Sequence, residues 1–333
     1  MHIVFLCQIF YPDTQSTSQL FTDLFGALKD EGLKITVVTG AVRGKDGSKL
    51  SGREQIGNLE IRRTGLAFNY RRNLFLRGIH YLAYLSGSAL QLWKLRKCDL
   101  VFGVTNPPFM PVWLWLLNRL FVRRYQILLS DIFPEGLVAL GKLGPGHFVT
   151  RLWRWANRHA LREAEQVLVL GRDMAELVAK GYHVLDSKIR YVPHWSSFEA
   201  DSPISVGETR LVRQLGLQGK FLVQYSGNMG LWHDIERIVL AANELRSEPS
   251  IHFLMIGGGM RRGGAEELSR KLELPNMTWL PLQLLESLQD SLSCCHLALI
   301  SQRDGLQGIA VPCKLYGILA SGRGILAVVP PPG

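Results

Sequence analysis

Three glycine-bearing turns, each directly after an apolar run, are the parts of this chain best placed to do chemistry. The first is Phe221-Leu-Val-Gln-Tyr-Ser-Gly227-Asn228-Met229-Gly230 and the second is Ile251-His-Phe-Leu-Met-Ile-Gly257-Gly258-Gly259. The third joins Leu297-Ala-Leu-Ile-Ser to Val311-Pro312-Cys313-Lys314-Leu-Tyr-Gly317-Ile-Leu-Ala-Ser-Gly322. Each pattern predicts a strand, a turn and a helix. Glycine lets a phosphate come close because it has no Cβ, and the N–H groups and dipole of a helix N-terminus favour negative charge. In alternating order these units predict a parallel sheet with a phosphorylated ligand along the carboxyl ends of its strands. Two charged residues stand at matching places. Lys314 follows a proline and opens a helix, and Asp131 follows the apolar run Tyr125–Leu129 and Ser130. A carboxylate at a strand's carboxyl end can orient a hydroxyl, although the same residue also caps helices well. Lys314 equally reads as a solvated surface lysine, and Gly257–Gly259 as a tight crossover.

The elements that must position these residues follow from hydrophobic periodicity. Residues 3–6 and 35–39 read as strands around a helix over 18–31, with Leu20, Leu24, Ala27 and Leu28 at helical spacing and Gly32 as its stop. Residues 43–57 are polar and glycine-bearing and read as a mobile loop. Further strands are expected at Leu100–Val104, Tyr125–Leu129 and 166–170, with helices between them. A proline- and serine-bearing linker over 191–203 separates this series from the one that starts at Phe221. The expected fold class is α/β, with two Rossmann-like domains over residues 1–195 and 196–333.

At 333 residues the chain can bury two separate cores. Its net charge of +10 is unevenly placed: before Gly171 there are 22 Lys/Arg against 12 Asp/Glu, and from Gly171 onward 16 against 16. That asymmetry points to an anionic partner for the first half. The region 61–98 has eight Lys/Arg and no acid, interleaved with Phe68, Tyr70, Phe75, Tyr81, Tyr84 and Trp93. Such a surface suits anionic lipid or nucleic acid, while the bland alternative is a basic helix face with its aromatics in the core. Residues 74–93 approach one bilayer span but contain Arg77 and His80, so a helix lying on the membrane is expected there. Residues 100–118 are broken by Pro107, Pro108 and Pro111 and read as a buried strand followed by a core helix. Cys7, Cys98, Cys294, Cys295 and Cys313 have no paired spacing and read as reduced thiols. The apolar start, Met1 to Gln8, is too short for a signal peptide and reads as a buried first strand.

Several other chemistries find no support in the sequence. Gly136-Leu-Val-Ala-Leu-Gly141-Lys142-Leu143 has Walker A spacing, but Leu143 stands where a hydroxyl must meet magnesium. There is no Asp-x-Asp, no His/Cys cluster with metal spacing and no Gly-x-Ser-x-Gly turn, so no metal and no cofactor are expected. A dehydrogenase reading lacks the Gly-x-Gly-x-x-G that should follow the first strand.

The second half resembles the donor-binding domain of the GT-B glycosyltransferases, specifically the retaining family four, also called group 1. Tyr225-Ser-Gly227-Asn228-Met-Gly230 is similar to the family's first donor loop, and Phe253-Leu-Met-Ile-Gly257-Gly258-Gly259 to its next strand and turn. Asn276-Met-Thr-Trp-Leu280-Pro281 is similar to the strand whose following loop faces the base. The run Val311-Pro312-Cys313-Lys314 to Gly322 resembles the signature of a bacterial surface-polysaccharide subgroup that includes fucosamine-type transferases. Tyr11-Pro12, Ser130-Asp131-Ile-Phe-Pro134-Glu135 and Val192-Pro193-His194-Trp195 also fit that subgroup. The resemblance implies two Rossmann-like domains with parallel sheets facing across a cleft. It also implies retaining, metal-independent transfer from a nucleotide-diphosphate sugar to a lipid-linked glycan at the cytoplasmic face of the membrane. No nucleic acid is implied.

For site residues the resemblance implies donor contacts at Gly227, Asn228, Gly230, His233, Gly257, Gly258, Gly259, Arg261, Pro281, Val311, Pro312 and Lys314. Lys314 would offset charge on the leaving diphosphate and Asp131 would act on the acceptor hydroxyl. His194 reads as structural. Two departures stand out. The family's Glu-x7-Glu pair falls on Ile309 and Gly317, and the Arg and Lys of its first donor loop have only Ser226 and His233 nearby. A catalytically inactive sugar-nucleotide-binding relative is therefore the rival expectation, and a Rossmann oxidoreductase a weaker one. The last apolar run, 324–329, is followed by Pro330-Pro-Pro-Gly333. An incomplete donor domain is expected, with Ile325, Leu326 and Val328 bordering an under-packed edge.

Overall fold

Apolar runs of five to eight residues become the central strands of two sheets in the computed structural model. The structure describes the chain apart from residues 14, 29–30, 45–47, 49, 68–73, 121–123, 197–203 and 330–333. It divides into two units, Met1–Pro193 with Gly308–Val311, and His194–Gln307 with Pro312–Gly333.

The first unit holds β1 (His2–Leu6), α1 (Ser16–Ala27), β2 (Lys34–Gly40), β3 (Arg53–Ile56), β4 (Leu59–Thr64) and α2 (Leu74–Lys94). It continues with β5 (Leu100–Val104), α3 (Met110–Asn118), β6 (Tyr125–Leu129), α4 (Glu135–Ala139), α5 (Phe148–Glu163), β7 (Gln166–Val169), α6 (Arg172–Tyr182) and β8 (Ile189–Tyr191). Its eight strands run in the order β3-β4-β2-β1-β5-β6-β7-β8, all parallel except β3. The residues expected to be a mobile loop thus contain an edge strand. Ile56 pairs with Leu59 across Gly57-Asn58, and Gly57 takes φ +59°. Its charged, exposed side chains hid β3 from hydrophobic periodicity, but they are what a solvent-facing edge carries. Helix α1 ends at Ala27, short of Gly32, which instead turns the chain into β2 with φ +66°.

The second unit holds α7 (Arg210–Leu215), β9 (Phe221–Asn228), α8 (Ile235–Glu244), β10 (Ile251–Gly258), α9 (Arg262–Lys271) and β11 (Met277–Leu280). Then come α10 (Leu288–Ser293), β12 (Leu297–Ser301), α11 (Lys314–Ala320) and β13 (Gly324–Val328). The parallel order β11-β10-β9-β12-β13 means that the chain moves outward from β9 in one direction and then resumes on its other side. The strand order reverses between β9 and β12, and in open α/β sheets such a switch opens a crevice at the carboxyl ends. Helices cover both faces, so β10 is buried along nearly its whole length. One cluster gathers Leu222, Leu254, Ile256, Ala298 and Ile318; the other gathers Val223, Tyr225, Val239, Phe253 and Met255. Gln224 interrupts this apolar setting but is satisfied, its Nε2 donating to the Ser291 carbonyl at 2.7 Å. Strand β13 forms one edge of the sheet, with Leu326 half exposed.

The basic aromatic surface read from residues 61–98 is partly taken inside. Tyr84 is fully buried and its hydroxyl donates to the Val38 carbonyl at 3.0 Å. Arg62 pairs with Glu60 at 2.9 Å, and Arg63 is buried against Glu54 at 2.7 Å. Phe68, Tyr70, Arg71 and Arg72, with the side chains of Phe75 and Arg77, lie outside the described residues. Among the described residues no helix is long and apolar enough to cross a membrane.

The central position of β10 gives a stability test. Leu254→Ala should cost about 2–5 kcal/mol in urea unfolding, because a fully buried side chain leaves a cavity between packed layers. Leu240→Ala, on the exposed side of α8, should stay within about 0.5 kcal/mol.

Candidate functional site

At the carboxyl ends of β9 and β10 the first two glycine turns lock onto each other. Gly227, Gly257 and Gly259 take φ of +126°, +130° and +142°, which side-chain-bearing residues rarely adopt. A Cβ on Gly257 would lie 2.0 Å from the Gly227 carbonyl oxygen, and one on Gly259 would lie 2.5 Å from that of Met229. The Met229 N–H donates to the Gly258 carbonyl at 2.7 Å, and the Arg261 N–H to the Met229 carbonyl at 3.0 Å. The Gly230 N–H donates to His233 Nδ1 at 3.1 Å. Two amides that the sequence suggested would face an anion are therefore spent inside the turn.

The positive charge comes from α11. Lys314, its first residue, reaches across the switch point to the first turn, and a Cβ on Gly227 would lie 3.6 Å from Nζ. Lys314 as a residue is only partly buried, but its Nζ is out of solvent and has no hydrogen-bond partner among the described residues. It sits 3.5 Å from the centroid of the Tyr225 ring. An aromatic face stabilises a cation modestly and offers it no proton acceptor. Burial lowers the Lys314 pKa to about 7, so near neutral pH the ammonium is easily lost. Burial, and then the Lys314 charge, push His233 down to about 3, which keeps its imidazole neutral. The Tyr225 hydroxyl donates to the Asn228 carbonyl at 2.9 Å and so fixes the ring under Nζ. Sequence reasoning quoted Tyr225 within the turn but gave it no role. Its signal was position: an aromatic two residues before the glycine, pointing to the same side of β9 as that glycine.

The neighbouring arginines are already engaged. The Arg261 guanidinium pairs with Glu236 in the first turn of α8 at 2.7 Å. Arg262 donates to the carbonyls of Gly257 and Leu280, the latter at 3.0 Å, and ties the ends of β10 and β11 together. Gly258 is open, with nothing near a built Cβ, and Pro281 follows β11 at the surface. Pro312 lies one residue before Cys313, the N-cap of α11, whereas Val311 belongs to the first unit. Asp131 is also in the first unit, at the end of β6, where it bridges to Ala310. The Thr105 hydroxyl accepts its N–H at 3.3 Å, and burial raises its carboxyl to about 6. It does not cap α4, whose N-cap is Pro134. His194 is neutral, pushed down to about 4 by burial, and lies edge-on to the Tyr316 ring at 6.2 Å. Ile309, at one of the absent carboxylate positions, is buried in the first unit, and Gly317 lies within α11.

A lysine beside Gly227 that an anion would return to its ammonium form is the chemistry this arrangement offers. Comparison with known proteins matches the fold of the chain to solved structures. The fold matches that of sucrose-phosphate synthase from Thermosynechococcus elongatus at TM-score 0.73 and 15% identity, covering 98% of this chain and 80% of that one. It also matches Anabaena HepE in complex with UDP-glucose at TM-score 0.65 and 13% identity, covering 98% and 80%. Both support the GT-B fold. Among curated proteins, the chain is 26% identical over 236 residues to a probable glycosyltransferase, WbjE, of Pseudomonas aeruginosa, covering 71% of this chain and 58% of that protein. It is 28% identical over 253 residues to a putative colanic acid biosynthesis glycosyl transferase, WcaI, of Escherichia coli K12, covering 74% and 61%. The matches therefore span about three fifths of these relatives' lengths. The profile of the glycosyl transferase 4-like domain matches residues 18–195, more than half of the sequence. The chain belongs to the glycosyl transferase 4-like family.

Proposed function

We propose that this protein transfers a sugar from a nucleotide-diphosphate sugar to a lipid-linked glycan in surface-polysaccharide synthesis, working peripherally at the cytoplasmic face of the membrane. The observation that carries the reading is the buried Nζ of Lys314, unpartnered beside Gly227 at the reversal of strand order. Breaking the anomeric C–O bond leaves negative charge on the diphosphate oxygen. A fixed cation in a water-poor site stabilises that charge far better than one in water. Lys314 supplies it in this reading, and no metal or other cofactor is needed. The acceptor hydroxyl oxygen bonds to the anomeric carbon as the diphosphate leaves, and Asp131, ionised above about 6, is the group assigned to orient that hydroxyl and take up its proton. Retention of configuration is part of the same reading and rests on the family. The second reading, a sugar-nucleotide-binding protein without transfer, is favoured by Ile309 and Gly317 standing where the resemblance implies a Glu pair.

Calorimetry with a nucleoside and its diphosphate tests the binding reading. Lys314→Ala should weaken the diphosphate about 10- to 150-fold, the worth of a charge-assisted contact, and leave the nucleoside within about twofold. Equal loss of both ligands would remove Lys314 from the phosphates.

The depressed pKa of Lys314 sets the sign of the pH dependence. With its free-state value at about 7, the side chain is mostly neutral above that pH, while a bound anion favours the ammonium. Binding must then take up a proton. Diphosphate affinity should fall as pH rises from about 7.5 to 9, by up to about tenfold per unit, and Lys314→Ala should flatten the profile. Affinity that rises with pH would contradict the assignment.

Transfer and binding can be separated at Asp131. Asp131→Asn should lower sugar transfer by about 100-fold or more, the usual contribution of a positioned acid–base group, without changing diphosphate affinity. A protein that binds the nucleotide sugar but shows no transfer before mutation would favour the second reading.

A further inference from the structure

The outward face of α5 has the wrong composition for a helix that faces water. Its inner face buries Trp153, Ala156, Asn157 and Ala160 against the unit. The opposite side should then be polar. Instead Phe148, Leu152 and Trp155 are 72%, 60% and 51% exposed, spaced so that they form one stripe. Helix α3 lies alongside and continues the surface with Leu116 and, just beyond its end, Leu120, which is 73% exposed. Cross-contacts join the two helices. The Trp115 and Trp155 rings meet edge to face at 5.8 Å, and Arg119 pairs with Glu163 at 2.5 Å while its guanidinium lies 5.6 Å from the Trp115 ring centroid. Arg151 and Arg162 border the stripe and are exposed, and among the described residues neither has a carboxylate partner.

We propose that this α3–α5 face is where the protein docks on an anionic lipid surface. The proposal rests on the reading of the protein as a transferase with a lipid-linked acceptor, and it relocates the membrane contact away from residues 61–98. Contiguous exposed apolar side chains on a soluble unit mark an interaction site. Their companions here identify the partner. Tryptophan and arginine, amphipathic side chains with an apolar body and a polar end, suit the boundary between lipid headgroups and acyl chains. A second copy of the chain fits less well, because a two-fold pairing through this face would set Arg151 and Arg162 against the same arginines. An acidic headgroup layer answers those charges while the stripe enters the acyl boundary. On α2, Tyr84 is buried, the basic strand residues before it are paired, and Leu82, Leu90 and Trp93 are exposed.

The test is co-sedimentation of the full chain with vesicles of phosphatidylcholine alone or with about 30% phosphatidylglycerol, at low and high salt. The protein should favour the anionic vesicles, and salt should weaken the binding without abolishing it. Leu152→Asp with Trp155→Ser should reduce partition by about tenfold or more, since both side chains leave the acyl boundary. Leu82→Asp, on the exposed side of α2, should leave partition unchanged. The unfolding transition followed by circular dichroism should stay cooperative in all three proteins, which guards against loss of fold, and a nucleoside diphosphate should shift it equally in each. Any of three results would overturn the proposal: no preference for anionic vesicles, loss with Leu82→Asp but not with the α5 pair, or a dimer in sedimentation velocity that the α5 pair dissolves. Failure to bind any nucleotide, with vesicle binding intact, would count against the proposed function and leave this face standing.

Discussion

An ammonium group held out of water with an aromatic ring as its neighbour and no acceptor in reach is an unfavourable thing to build. The second unit is arranged around that constraint. Lys314 keeps its place because α11 begins at that residue and because Tyr225, tied by its hydroxyl to Asn228, presents a ring face under Nζ. Gly227 is held to glycine by its backbone angle, and Lys314 Nζ lies 3.6 Å from where its Cβ would stand. His233 is kept neutral by burial and by the lysine's charge, and it spends one ring nitrogen closing the turn. Arg261 and Arg262 are drawn to Glu236 and to strand-end carbonyls. The cation of these turns that lacks a partner is Lys314, and an incoming diphosphate would offset the cost of burying it.

Family membership and local chemistry are carried by different parts of the chain. The family profile covers residues 18–195, almost all in the first unit, whereas the turns and Lys314 lie in the second. The reversal of strand order between β9 and β12 puts the crevice of an open sheet where Lys314 and Gly227 converge. The two positions where the resembled family has its Glu pair hold Ile309, which is buried, and Gly317, which lies within α11. Asp131 lies in the first unit, where burial raises its carboxyl to about 6.

Much of the fold was legible because parallel strands buried on both faces read as continuous apolar runs. Leu100–Val104 and Tyr125–Leu129 have the expected limits, and β9, β10 and β12 lie where the glycine turns require. Strand β3 was not legible by the same rule, since its pairing depends on an edge position rather than on burial. Within the site, the glycines and Lys314 were legible because backbone geometry and charge leave marks in residue type. The fate of the arginines was not. Whether a guanidinium is free or paired depends on which helix packs beside it, and Glu236 is 25 residues from Arg261 in sequence.

The surface shows the same division. Net basic charge in the first half is a property of composition and needs no coordinates. Which aromatic and basic side chains face outward is decided by packing: Tyr84 went inside, Arg63 was buried with Glu54, and Phe148, Leu152 and Trp155 were left outside. The sequence by itself determined the alternating strand–helix order, the glycine positions and the presence of a lysine at the head of the last helix, because these follow from periodicity and backbone sterics. Tertiary structure alone decided that the lysine's Nζ is sealed over Tyr225, that two amides of the first turn are used internally, and that the apolar basic face lies on α3 and α5. Each of those depends on contacts between residues distant in sequence, and no local pattern encodes them.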